Sequence, residues 1–135
     1  MTDKLHFSLV SPARELYSGE VDHVIAPGAV GEFGVLVNHA PYMTTLKRGL
    51  VRVLNEGEPE MRIYVRGGFA DVTPEGMTIL AEDERNLGEV DADALAEELT
   101  ERRNHLLANS DDDTERLLAE DQIAFLEDIQ NALQP

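Results

Sequence analysis

The chain has 135 residues, too few for two full-sized domains, and 42% of them are apolar, so one moderate core can form. Its 11 basic and 27 acidic side chains give a formal net charge of −16, which disfavours binding to nucleic acids and anionic lipids. The absence of cysteine excludes disulfides and thiolate chemistry, and no apolar stretch has the length of a signal peptide or a membrane span. We therefore expect a soluble cytoplasmic protein that does not insert into membranes by itself.

The first two thirds of the chain are predicted to form short strands separated by turns. Leu5, Phe7 and Leu9 alternate with polar residues, the period of a half-buried strand. Further strands are predicted at residues 21–26, 35–37, 42–46, 50–54, 61–65, 69–72 and 77–81. Residues 55–58 (NEGE) and 73–76 (TPEG) are typical of tight turns, and the pair Gly67-Gly68 indicates a bulge or a close approach of the backbone. Many short strands at even spacing predict a sandwich or a barrel.

A helical period replaces the strand period near residues 86–90. Asp91 is a suitable N-cap for a first helix, whose apolar stripe contains Leu95, Leu99 and Leu106. A polar break at 109–113 precedes a second helix, and two helices joined by a short loop form a helical hairpin. The apolar face of this second helix is predicted to contain Leu118, Phe125, Ile129 and Leu133. We place a strand-rich domain at residues 1–86 and the hairpin at 87–135.

No pattern of residues in the chain indicates an active site. The four histidines are His6, His23, His39 and His105. Neither they nor the aspartate run 111–113 has the spacing of a metal site, and no serine lies in a G-x-S-x-G motif. The glycine-rich segment 28–34 lacks the lysine of a phosphate-binding loop and is predicted to be an exposed loop between strands. We expect no catalytic residue, metal or cofactor, and we expect Glu32 in this loop to serve in contact with a partner.

The same segment carries a resemblance to a known family. Residues 28–41 read GAVGEFGVLVNHAP and residues 45–49 read TLKRG, which together resemble the epsilon subunit of bacterial F-type ATP synthases. Supporting segments lie at 7–12, 65–69 (VRGGF) and 78–82 (TILAE). The resemblance implies a ten-stranded β-sandwich followed by a C-terminal antiparallel helical hairpin. It also implies a non-catalytic rotor subunit of the central stalk, peripheral on the cytoplasmic face of the bacterial inner membrane.

In such a subunit the sandwich binds the gamma subunit and the ring of c subunits, and it couples proton flow to ATP synthesis. Carried over to this chain, the resemblance places Gly31, Glu32 and Phe33, with His39 nearby, at the interface with the c-ring or gamma. One departure from the family lies beside His39. The family has Pro-Gly where this chain has Val37-Asn38, so Asn38 is expected to make the turn in the left-handed region.

The hairpin departs further from the family. Many members bind ATP there through an I-D-x-x-R-A segment, of which this chain keeps Asp91 but has Ala94 in place of the arginine, so nucleotide binding is not expected. Some members inhibit ATP hydrolysis with basic residues on the last helix, where this chain offers only Arg116 among several carboxylates. We expect at most weak inhibition through contact with the catalytic alpha/beta hexamer.

One alternative function remains open from the sequence. The chain could be a small anion-binding or nucleotide-binding β-sandwich that acts as a regulatory module, with the hairpin closing on the bound anion. The acidity of the hairpin and Ala94 argue against this alternative. A calorimetric titration with MgATP distinguishes a nucleotide-binding module from a rotor subunit that binds no nucleotide.

Overall fold

The computed structural model of the chain describes residues 4–109 and 111–133. It divides into two compact units, Met1–Gly88 and Glu89–Pro135. The first unit contains the strands β1 Leu5–Val10, β2 Glu15–Val21, β3 His23–Gly28, β4 Gly31–Val35, β5 Tyr42–Leu46, β6 Gly49–Leu54, β7 Met61–Val72 and β8 Gly76–Asn86. The second contains the helices α1 Ala92–Ala108 and α2 Asp113–Leu133. The predicted class, a β-sandwich followed by a helical hairpin, is confirmed.

The strands follow the order β2-β1-β8-β7-β5-β3-β4, and β6 pairs with both β3 and β7. Among the described strands, all pairings are antiparallel except that of β1 with β8. Because β6 joins β3 to the first half of β7 while β5 lies along its second half, the strands close around one apolar core. The largest buried side chains of this core include those of Phe7, Leu9, Val24, Val35, Met77 and Ile79.

The described residues form eight strands, so the expected number of ten is wrong. The difference lies in β7 and β8, which have 12 and 11 residues and continue through an irregularity in their register at Gly67 and Gly68. If the parts of β7 and β8 on the two sides of this bulge were counted separately, the number would be ten. The glycine pair was predicted to form a bulge or a close approach of the backbone, and the register shift shows that it forms a bulge.

The bulge changes which side of β7 faces the core. Before it, Ile63 and Val65 are buried, and after it, Ala70 and Val72 are buried. The buried positions therefore change from odd to even residue numbers, and Phe69 is turned to the outside. Simple alternation through the whole strand would instead have placed Phe69 in the core.

One strand, β2, was not predicted. It occupies the end of the strand order and pairs only with β1 among the strands described. Only Val21 in it is buried, and Ser18, Gly19 and Glu20 interrupt any apolar alternation. Edge strands bury little side-chain surface, so their sequences carry a weak periodic signal.

The first helix begins after the residue that the sequence predicts as its N-cap. The side chain of Asp91 accepts a hydrogen bond from the backbone N–H of Asp93 at 3.0 Å, which confirms Asp91 as the N-cap of α1. The helices run antiparallel, since Arg103 contacts Glu127 at 3.0 Å while His105 contacts Glu115 at 3.4 Å. The buried side chains of this unit are Leu95, Leu99, Ala119, Ile123, Phe125, Leu126 and Ile129. Leu118, predicted to lie on the packed face of α2, is 54% exposed instead.

Candidate partner-binding surfaces

The turn between β3 and β4 projects an apolar tip. Ala29 and Val30 form this turn, in which Ala29 N–H donates to the carbonyl of Thr45 at 3.0 Å, and the Val30 side chain is 90% exposed. Gly31 follows with a φ of +138°, a conformation that side chains rarely adopt, which explains the glycine at this position. The tip is thus held by the sheet while its valine reaches solvent.

The segment Gly31 to Phe33, predicted to be a loop, is the start of strand β4. It pairs with β3 through Gly28↔Gly31 and Ala26↔Phe33. Because side chains alternate along a strand, Glu32 is exposed on one face while Phe33 lies half-buried on the other. The Phe33 ring meets that of Tyr42 edge-on at a centroid distance of 5.2 Å and packs against the core, so Glu32 is the more accessible of the two.

The turn that follows β4 carries the other predicted site residue. Asn38 has a φ of +65°, which confirms that it makes the turn in the left-handed region, and its N–H donates to the carbonyl of Pro74 at 3.2 Å. His39 is half-buried, with Nδ1 2.6 Å from the carbonyl oxygen of Ala40. Glu32 lies at the turn end of β4 and His39 beyond the other end, so about 10 Å of strand separates them. The structure therefore does not place these two residues side by side.

A second exposed apolar surface lies on the outside of the strands, and its residues were not predicted as site residues. Phe69 of β7 is directly opposite Leu80 of β8, and Leu80 is opposite Val10 of β1. Met43 of β5 is diagonal to Phe69, because Phe69 pairs with Thr45. Met43, Phe69 and Leu80 are 63%, 36% and 44% exposed. We call these four residues the outer apolar face; such a group of neighbouring apolar side chains on a sheet is a candidate contact surface.

A sequence signal for this face does exist. In β8 the residues Met77, Ile79 and Ala81 are buried, so the intervening positions should be polar. Leu80 breaks that rule, while Thr78 and Glu82 obey it. An apolar residue on the polar side of a strand makes that side a candidate contact surface.

One arrangement near the β1–β2 edge has the composition of a hydrolytic triad. His6 Nδ1 lies 3.2 Å from Glu20 Oε1, and His6 Nε2 lies 3.4 Å from the hydroxyl of Ser18. The side chains of His6 and Glu20 are more than half exposed on an open strand surface. Catalytic nucleophiles usually lie closer to their base and beside groups that stabilise an oxyanion. We interpret the group as surface hydrogen bonding.

The hairpin residues considered for nucleotide binding lie at the start of α1. The Asp91 carboxylate is engaged in capping the helix, and Ala94 is exposed in its first turn. Within residues 4–109 and 111–133, no three His, Asp or Glu side chains are grouped so as to hold a metal ion. Over the same residues, no helix is both long and apolar enough to cross a membrane.

Comparison with known proteins places the chain in a family. The family model described as "ATP synthase, Delta/Epsilon chain, beta-sandwich domain" matches residues 4–85, more than half of the chain. The chain belongs to the ATP synthase epsilon chain family. A relative from Hyphomonas neptunium, described as an ATP synthase epsilon chain, is 61% identical over 98% of both chains. Another with the same description, from Caulobacter vibrioides, is 66% identical over 58% of this chain and 91% of its own.

A solved structure agrees with this assignment. The mitochondrial ATP synthase of Euglena gracilis, solved by cryo-EM with its OSCP, F1 and c-ring, contains a chain that covers 99% of this epsilon-family chain. The alignment spans 84% of that other chain, with a TM-score of 0.76 and 26% sequence identity. The predicted resemblance to bacterial epsilon subunits is confirmed.

Proposed function

We propose that this epsilon-family chain is a non-catalytic rotor subunit in the central stalk of an F-type ATP synthase. In this role the strand-rich unit binds the gamma subunit and the c-ring, and it helps to couple proton flow to ATP synthesis. The chain is then peripheral, at the cytoplasmic face of the bacterial inner membrane, through its partners. The observation that carries the proposal is the outer apolar face, which suits a lasting protein partner better than solvent.

The lengths of relatives support the strand-rich unit as the coupling module. The Caulobacter vibrioides relative aligns over 79 residues, which are 91% of its length, so it has about as many residues as Met1–Gly88. A relative of that length has room for one of the two units. Because the family model covers residues 4–85, the strand-rich unit is the one that defines the family.

We assign the outer apolar face to gamma and the tip at Val30 to the c-ring. The outer apolar face spans four neighbouring strands, β5, β7, β8 and β1, and offers a broad surface of the kind that packs against helices. The tip is narrow, with Val30 exposed and the Glu32 carboxylate two residues away. A narrow apolar tip beside one negative charge suits insertion between polar loops that carry a cation.

The assembled enzyme gives the direct test of the proposed function. ATP synthase lacking its epsilon chain is reconstituted with the full chain, and ATP-driven proton pumping is compared with ATP hydrolysis. We expect the chain to restore pumping and to co-purify with gamma and the c-ring. If it binds neither and leaves pumping unchanged, the rotor assignment is wrong.

Glu32→Lys is expected to lower the ratio of pumped protons to hydrolysed ATP severalfold in that reconstituted enzyme. The substitution replaces attraction by repulsion at the proposed c-ring contact, and the exposed position leaves the strand intact. Glu32→Gln, which only removes the charge, should have a smaller effect. Glu56→Lys, an equally simple charge reversal at an exposed residue in the β6–β7 turn, is the matched control. Equal ratios for Glu32→Lys and Glu56→Lys would exclude Glu32 from the contact.

We also propose that the hairpin inhibits ATP hydrolysis only weakly. The one basic residue of α2, Arg116, contacts Asp113 at 3.0 Å and Glu120 at 3.9 Å, so neighbouring carboxylates already balance its charge. Adding the full chain to the catalytic sector should change its ATPase rate by less than about twofold, since like charges repel an acidic target. The double variant Glu115→Lys/Glu120→Lys should inhibit more strongly. Strong inhibition by the unaltered chain would contradict this expectation.

A further inference from the structure

The loop end of the helical hairpin exposes three large apolar side chains. Leu107, at the end of α1, is 77% exposed, and Leu117 and Leu118, at the start of α2, are 62% and 54% exposed. Leu118 lies seven residues before Phe125 and therefore on the same side of α2, whose buried stripe continues through Phe125 and Ile129. The apolar stripe of α2 is thus covered over most of its length and uncovered at the loop end.

The two helix ends that carry these leucines are capped by hydrogen bonds. The Asp112 carboxylate accepts hydrogen bonds from the N–H groups of Thr114 and Glu115 at 3.0 and 3.1 Å, which caps α2. Asn109 N–H donates to the carbonyls of His105 and Leu106 and closes α1. The leucines are therefore presented on two capped helix ends, and an ordered surface loses little conformational freedom when a partner binds.

The charges around the leucines select the kind of partner. Residues 104–120 contain the five acidic residues Asp111, Asp112, Asp113, Glu115 and Glu120. The segment 104–120 contains one Lys or Arg, Arg116, which contacts two of these carboxylates. The whole unit 89–135 has 3 basic and 14 acidic residues, a net charge of −11. Such a surface repels a second copy of itself and an anionic membrane, and it attracts a cationic partner.

We propose that the loop end of the hairpin, formed by Leu107, Leu117, Leu118 and the carboxylates around them, is a docking site for a basic amphipathic helix of a partner protein. The apolar side of such a helix covers the leucines while its Lys and Arg side chains meet the acidic rim. This goes beyond the proposed rotor function, which uses the strand-rich unit. The proposed site also differs from an inhibitory contact in charge: the site attracts a basic partner, whereas an inhibitory hairpin binds an acidic segment.

A synthetic helix tests the proposal directly. The probe is a fluorescently labelled 18-residue peptide with leucines on one face and lysines on the other, titrated with the full chain and followed by anisotropy. We expect binding that weakens as salt is raised, because part of the attraction is electrostatic. The double variant Leu117→Gln/Leu118→Gln should weaken binding by at least about tenfold, since each buried leucine contributes strongly. Glutamine keeps a good helix propensity, and circular dichroism checks that the hairpin still forms.

Two controls separate apolar docking from simple charge attraction. Leu36→Gln removes an exposed apolar residue from the other unit and should bind the peptide like the unaltered chain. A peptide with the same lysines but serines in place of its leucines should bind at least about tenfold more weakly. The proposal is overturned if this serine peptide binds equally well, or if the glutamine variant binds the leucine peptide as tightly as the unaltered chain. Leucine-dependent self-association in sedimentation, or binding to phosphatidylglycerol vesicles, would also overturn it by identifying a different occupant.

Discussion

Replacing Gly68 by alanine is expected to lower the free energy of unfolding of the strand-rich unit by about 3 kcal/mol. Gly68 has a φ of +147°, and an added Cβ would overlap the backbone carbonyl oxygen of Leu80. The strained backbone costs about 1–2 kcal/mol and the overlap about 1–3 kcal/mol. Urea unfolding of the full chain measures the change. All three tyrosines lie within residues 1–88 and the chain has no tryptophan, so tyrosine fluorescence reports this unit alone.

Gly57→Ala is the matched control for that substitution. Gly57 also has a positive φ, +82°, but an added Cβ would meet no atom within 4 Å. The alanine should therefore cost only the backbone term, about 1 kcal/mol. If the two variants lose the same stability, the close approach of β7 and β8 at the bulge contributes nothing and the expectation for Gly68 is wrong.

The turns and caps are the part of this fold that the sequence predicts best, because each depends on one local residue. Asn38 adopts the left-handed conformation that its place in the turn requires. The N–H of Glu58 donates to the carbonyl of Asn55 at 3.0 Å and closes the predicted turn around Gly57. Asp91 caps α1 as its side chain and position suggest. These turns and this cap are determined by hydrogen bonds between residues that are close in sequence, so they do not depend on distant residues.

The two faces of the strands were harder to assign, because they depend on the register between distant residues. The bulge at Gly67-Gly68 was predicted, but its effect on the alternation along β7 depends on pairing with β8. That pairing turns Phe69 outward beside Leu80 and creates the outer apolar face. A single sequence contains the glycines but not the register, so the outward position of Phe69 could not be derived from alternation along β7, whereas that of Leu80 follows from alternation along β8.

The residues of the proposed c-ring contact were predicted from a sequence motif. The members of a motif are adjacent along the chain, but they need not lie on the same surface. The strand β4 separates those neighbours in space: Glu32 and Phe33 lie on opposite faces, and His39 follows the far end. The exposed tip residue Val30, within the same motif, was not named as a site residue. Which members of a motif share a surface depends on whether the segment is a loop or a strand, and here it is a strand.

Phe69→Asp is expected to weaken binding of the chain to the epsilon-depleted ATP synthase by about a hundredfold or more. Phe69 lies in the middle of the outer apolar face, directly opposite Leu80 and diagonal to Met43. A carboxylate buried there against an apolar partner would lose its hydration without gaining a compensating group. The isolated chain should keep its fold, because Phe69 already reaches solvent at 36% exposure.

Quantitative pull-down of the gamma subunit and the c-ring by the tagged full chain measures this loss, and tyrosine fluorescence unfolding checks that the variant is folded. Leu118→Asp is the matched control, since it places the same charge on an exposed apolar residue of the other unit. It should bind the rotor like the unaltered chain if the strand-rich unit makes the contact. Rotor binding that survives Phe69→Asp but fails with Leu118→Asp would move the contact to the hairpin and remove the outer apolar face from the proposal.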